Sequence, residues 1–158
     1  MILKRTNSDD PDFRRLVDQL DEYLADVDGE EHSYYAQFNG LDKIANVVVG
    51  YEGKEAVGCG AFKSYMNEIA EIKRMFVRPA FRGRRIGSAV LAELESWACE
   101  TGFTSCILET GHKQAAAVRL YQNCGYRVIP NYDQYAGVDN SLCMRKEIAL
   151  ERKAEIRT

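Results

Sequence analysis

No apolar run in the sequence is long enough to span a bilayer, and the opening "MILKRTNSDDPDF" lacks the apolar core of a signal peptide. Both features lead us to expect a cytoplasmic protein without a membrane partner. Histidine is scarce. His32 and His112 are the only two, and neither has a partner at ligand spacing, so no metal is expected. The five cysteines, Cys59, Cys99, Cys106, Cys124 and Cys143, are odd in number, scattered and free of C-x-x-C spacing. Apolar neighbours such as Trp97-Ala98 and Ile107-Leu108 suit buried free thiols in a reducing compartment. A broad basic excess is missing as well. The net charge of -3 argues against nucleic acid as the main partner. Repeats, low-complexity tracts and linkers are all absent.

What is present is the balance of an ordinary globular protein, with 46% hydrophobic and 28% charged residues in 158. That length fits one domain with a substantial core, taken as residues 1–150, followed by a charged tail at 151–158. Ile2 to Thr6 is a strand candidate. Phe13, Leu16, Val17, Leu20, Leu24 and Val27 then form one apolar stripe at helical spacing, with Pro11 in the first turn and Gly29 at the end. "HSYYAQFN" fits either a short helix or an ordered loop. From Asn46 two β-runs are joined at Glu52-Gly53-Lys54, a hairpin signal, and "EIAEIKRMFV" reads as a third strand. Ile86, Val90, Leu91, Leu94 and Ala98 share a helical face that stops at Gly102. "SCILET" is a strand, Ala115 to Asn123 a helix stopped by Gly125, and "YRVI" and "LCMRKEI" are two final strands. Three strands in succession before the second helix make this a mixed α/β sheet and not a doubly wound one.

The stretch "VRPAFRGRRIGSAV" gathers cationic side chains and glycines where a strand gives way to a helix. The first N–H groups of a helix have no partner within it, and together with the dipole they attract phosphate. Gly83 and Gly87 let the backbone approach an anion, while Arg82, Arg84 and Arg85 can add charge-assisted bonds. A solvated basic loop is the competing reading. Neither G-x-x-x-x-G-K-[ST] nor G-x-G-x-x-G occurs.

"EIKRMFVRPAFRGRRIGSAVLAELE" resembles the cofactor-binding motif of the GNAT superfamily of acyl-CoA-dependent N-acetyltransferases. That motif is a strand ending in Val, then x-P, then [QR]-x-x-G-x-[GA] opening a helix. Arg82 and Gly87 fill its outer positions, and Arg85 stands where the family usually has its first glycine. "LETGHKQAAAVRLYQNCGY" resembles the family's later A-x-x-L-Y-x-x-x-G-[FY] unit through Ala117, Leu120, Tyr121, Gly125 and Tyr126. Gln114 replaces the Asn that many members carry. The resemblance implies a single-domain α/β (α+β) fold. Its central twisted sheet would be mixed and mostly antiparallel, with about six to seven strands and helices on both faces.

It also implies acetyl-CoA as co-substrate, no metal, and direct attack by an amine in a ternary complex without an enzyme nucleophile. On this reading Met75, Phe76 and Val77 offer main-chain groups to the acetyl carbonyl and pantetheine amides. Arg82, Gly83, Arg84, Arg85, Ile86, Gly87, Ser88 and Gln114 complete the cofactor site. Tyr121 stands at the family's general-acid position, and a phenol suits protonation of a thiolate. Glu71 lies six residues before Val77, where the histone-acetylating branch has its base. Strand alternation puts Glu71, Met75 and Val77 on one face. Glu68 and Glu109 compete, with Glu68 expected to be solvated and Glu109 able to bind a substrate ammonium. A water chain is an alternative to Glu71.

The segments "EEHSYYAQFN" and "NYDQYAGVDN" would wall the acceptor cleft, with Tyr34, Tyr35, Glu109 and Tyr132 as substrate contacts. Their polarity suits a small amine. Packing of the same tyrosines on the sheet is an equal reading. The expected function is N-acetylation of a small polar amine. The alternatives are acetylation of a protein N-terminus or lysine, and a non-catalytic acyl-CoA-binding module. Dimers are common in the superfamily, which leaves a homodimer open.

Overall fold

Asp10 begins the first helix, where its carboxylate accepts from the N–H groups of Asp12 and Phe13 and so satisfies two of the donors a helix start leaves open. The computed structural model describes residues 1–29 and 43–148. Within them, β1 (Ile2–Thr6) and α1 (Pro11–Asp28) precede β2 (Asn46–Glu52), β3 (Glu55–Met66) and β4 (Ile69–Val77). Then come α2 (Ile86–Glu100), β5 (Ser105–Gly111), α3 (Ala115–Asn123), β6 (Arg127–Ile129) and β7 (Ser141–Glu147). Short 3-10 turns cover Pro79–Phe81 and Asp133–Tyr135. "HSYYAQFN" lies outside the described residues.

The seven strands form one sheet in the order β1-β2-β3-β4-β5-β7-β6. Every neighbouring pair is antiparallel except β4 with β5. The expected mixed, mostly antiparallel sheet is present, and helices cover both of its faces. Phe13, Leu16, Val17 and Leu20 of α1 pack on Val47, Val49 and Cys59. On the other face Val90, Leu91 and Leu94 of α2 pack on Val48, Val57 and Phe62, joined there by Tyr121 of α3. Burying each such aliphatic side chain contributes about 1.5–3 kcal/mol, so the alternating valines of β2 hold both layers to one sheet. All five cysteines are free, with Cys59, Cys106 and Cys143 buried.

The hairpin turns at Gly53, with φ +60°, between β2 and β3. Beyond α3, Tyr126 N–H donates to Tyr121 C=O at 3.0 Å while Gly125 takes φ +95°. This left-handed stop locks the turn that carries Tyr121.

Candidate active site

β4 and β5 pair only at Ile69↔Ser105, Ala70↔Cys106 and Glu71↔Ile107. Beyond Glu71 they part, so the rest of β4 has an edge toward β5 without a strand on it. Such an edge can accept an extended ligand as a strand would. The partner on the other side of β4 adds a second irregularity. Between Cys59↔Phe76 and Ala61↔Lys73, Gly60 alone opposes both Arg74 and Met75, and Arg74 takes φ +61°. This is a β-bulge, which bends a strand and re-aims its side chains.

The bulge corrects one expectation. Ala70 and Ile72 pack on the α2 side, whereas Phe76 packs on the α1 side, and Met75 and Val77 return to the α2 side. Glu71 therefore does not share a face with Met75 and Val77, because the extra residue reverses the alternation between them. Gly60 makes room for the reversal. A Cβ there would collide with Met75 Sδ and lie 2.8 Å from Leu94 Cδ1.

Two clefts open where the strands part. The larger encloses about 340 Å³ between β4, the turn after it, and α3. Met75, Phe76, Val77, Arg82, Gly83, Arg85, Ile86, Gly87, Ser88 and Gln114 all line it, with Leu20 and Tyr23 contributed by α1. Arg84 does not line it. Its guanidinium instead lies 5.1 Å above the Phe81 ring.

In the turn, Gly83 has φ +82° and Arg85 has φ +62°, ψ +20°, immediately before the first helical residue. The position where the family usually has glycine is thus a left-handed one, occupied here by arginine at some strain. No side chain caps α2, so its first N–H donors remain available to a bound anion. Arg82 Nε donates to Val77 C=O at 3.1 Å, and its guanidinium stacks 4.9 Å above Tyr23. Arg82 thus ties the turn to the end of β4 and to α1. At Gly87 a Cβ would lie 3.2 Å from Leu120 Cδ2, so glycine brings the first turn of α2 close to α3. An open helix start, positive side chains and an apolar trough fit a phosphorylated ligand with a long organic arm.

The smaller cleft, about 100 Å³, lies on the α1 side and is lined by Glu71, Lys73, Arg74, Glu109 and Tyr135 among others. Leu20, Met75, Gln114 and Tyr121 belong to the walls of both clefts. Tyr121 is 6% exposed. Burial, then the Glu109 carboxylate, raises its phenol above the ordinary tyrosine value, so the hydroxyl keeps its proton at neutral pH. Glu71 is also buried, at 6%, and its Oε2 accepts from Tyr132 O–H at 2.9 Å. Burial, then Glu71, pushes the Tyr132 phenol up, which keeps it a donor.

The sequence-predicted substrate contacts separate. Glu109 is half-buried in the smaller cleft. Tyr132 is not in its wall and directs its hydroxyl to Glu71. Tyr34 and Tyr35 lie outside the described residues. Glu68 is exposed at the β3–β4 turn. Sequence reasoning missed Lys73, Arg74 and Tyr135, together with Leu20 and Tyr23 of α1. The signal for the first two was the adjacent charges in "EIKRMF", which interrupt an otherwise apolar strand.

Residues 11–126 match the Acetyltransferase (GNAT) family. The chain belongs to the GNAT family. An IAA acetyltransferase from Azospirillum brasilense is 32% identical over 136 residues, covering 85% of this chain and 89% of the relative. The structure of an acyl-CoA N-acyltransferase from Klebsiella pneumoniae matches with a TM-score of 0.77 and 26% identity, covering 93% of this chain and 97% of that one. A PaiA N-acetyltransferase from Thermoplasma acidophilum, in complex with coenzyme A, shares the fold at a TM-score of 0.66 and 16% identity, covering 93% and 99%. As a GNAT protein the chain is an acyl-CoA-dependent N-acetyltransferase with acetyl-CoA as its co-substrate. Among the described residues no group of three or more His, Cys, Asp or Glu side chains could hold a metal ion, and no helix is long and apolar enough to cross a membrane.

Proposed function

We propose that this GNAT enzyme acetylates the primary amine of a small polar molecule by direct attack in a ternary complex. The observation that carries the proposal is the shared wall. Tyr121, Met75 and Gln114 face both the cleft that suits coenzyme A and the smaller cleft with ionisable walls. Two reactants held there would meet without an enzyme nucleophile between them.

When bound, acetyl-CoA supplies an activated acetyl thioester. The helix start at Ile86 and the arginine turn hold its phosphates, and the open β4 edge at Met75 to Val77 offers main-chain groups to its amides and carbonyl. Tyr121 Oη carries a proton that burial retains, the form required of an acid beside a leaving sulfur. Glu71 is the base for the acceptor ammonium. Its Oε2 is fixed by Tyr132, while Oε1 faces Lys73 across 3.8 Å. Glu109 adds negative charge to the same wall and favours a cationic acceptor. Free cysteines throughout support action in a reducing cytoplasm.

Thiol release from acetyl-CoA with a panel of small amines tests the reading. Tyr121→Phe is expected to lower kcat by about 10²–10⁴-fold, with coenzyme A affinity nearly unchanged. Tight cofactor binding without turnover of any amine would make the protein an acyl-CoA-binding module instead.

A further inference from the structure

We infer that the acceptor carries its own carboxylate one carbon from the reacting nitrogen, as an α-amino acid does, and that Lys73 receives that carboxylate. The inference rests on the small-amine reading above and names the substrate class of the same site.

Lys73 lies in the wall of the smaller cleft, with its side chain 12% exposed. Among the described residues Lys73 Nζ pairs with Glu71 Oε1 at 3.8 Å, beyond hydrogen-bond distance, and makes no hydrogen bond. Lys73 is half-buried and its ion pair with Glu71 is longer than a hydrogen bond, so a closer anion can still engage it. The bulge sets Arg74 beside it, also in the cleft wall, with its side chain 7% exposed and NH1 3.8 Å from Asp21. Glu71 and Glu109 stand in the same wall. The cleft is therefore bipolar, and its complement is a molecule with both charges.

Spacing narrows the class. Lys73 Nζ and Glu71 Oε1 are close neighbours, so the acceptor's two charges must also be close. An ammonium and a carboxylate on one carbon meet that condition, whereas an amine and an acid at opposite ends of a chain do not. Burial lowers the Lys73 ammonium below the ordinary lysine value against the pull of Glu71, and an arriving carboxylate would favour its charged form.

The test measures kcat/KM for thiol release by the full chain with acetyl-CoA and the twenty common L-amino acids. The best of them is then compared with its α-carboxamide and its decarboxylated amine. The acid should exceed both by about 30-fold or more, chiefly in KM, as expected when a partly buried charge loses its partner. In Lys73→Met the advantage should fall nearly to parity, and Lys73→Arg should keep most of it. Equal use of acid and amide, or an advantage that survives Lys73→Met, would overturn the inference while leaving the enzyme a small-amine acetyltransferase. A preference for the amide would overturn it in favour of a peptide N-terminus. Cofactor binding without turnover of any amine would remove the small-amine reading, and this inference with it. If Lys73→Met does not fold, the acid-against-amide ratio of the unaltered protein decides alone.

Discussion

Replacing Arg85 by glycine and, separately, by alanine isolates the backbone of the turn before α2 from its charge. Both substitutions remove the same guanidinium, so any difference between them belongs to the main chain. Arg85 sits at φ +62°, ψ +20°, where an L-residue carries about 1–2 kcal/mol of steric cost that glycine avoids. Glycine gives back about 0.5–1 kcal/mol through the greater freedom of its unfolded chain. The balance favours glycine over alanine by roughly 0.5–1 kcal/mol, the reverse of their order inside a helix. For a domain of this size that separates the two melting temperatures by about 1–4 °C, glycine above alanine. Thermal unfolding followed by circular dichroism on the protein alone reads the difference. Calorimetric titration with coenzyme A at low and high salt reads the charge. Both variants should lose affinity together, and the loss should shrink as salt rises. An alanine variant as stable as the glycine variant would refute a left-handed Arg85. Affinity that is unchanged at low salt would refute a phosphate contact for its side chain.

Gly60→Ala should displace Met75, since the new Cβ meets both Met75 Sδ and Leu94 Cδ1. The expected result is a loss of about 1–3 kcal/mol in denaturant unfolding together with reduced turnover, because Met75 belongs to both clefts. Asp10→Ala removes the cap of α1 and should cost about 1–2 kcal/mol. Burial alone would raise the Asp10 carboxyl, but Lys4 at 2.8 Å, the Phe13 N–H and Thr6 outweigh it and hold it below the ordinary aspartate value. Its contribution is thus fully present above the unfolded aspartate pKa and is lost as pH falls through the lower folded value. The stability gap between this variant and the unaltered protein should close in acid unfolding and persist at neutral pH.

Most of the architecture was legible because local chemistry and the packed structure agree. The α1 stripe, the Gly53 hairpin and the stops at Gly102 and Gly125 each combine a period with a residue suited to the required φ. The bulge in β4 was not legible. In "RMFV" three consecutive apolar residues carry no phase, so an inserted residue leaves no mark on the pattern. That one missed residue moved Glu71 off the face of Met75 and Val77. It also hid Lys73 and Arg74, whose burial depends on where β4 leaves β5. Tyr132 was read as a substrate contact from its place in a polar loop. Its bond to Glu71 spans 61 positions and exists only once the sheet is assembled.

The parallel seam of three residue pairs between β4 and β5 also has a mechanical consequence. Among the described residues it is the one strand pairing that joins β1–β4 to β5–β7, so the sheet is two plates clasped along one short margin, with the α2 core shared by both. That margin is as thinly paired as the β6 edge, with three residue pairs against five to seven in the other seams. A ligand laid along the gap spans the plates and adds supports that the strands do not provide. If the co-substrate is that ligand, its binding would add to the stability of the fold by mass action, and the protein would yield most readily when it is scarce.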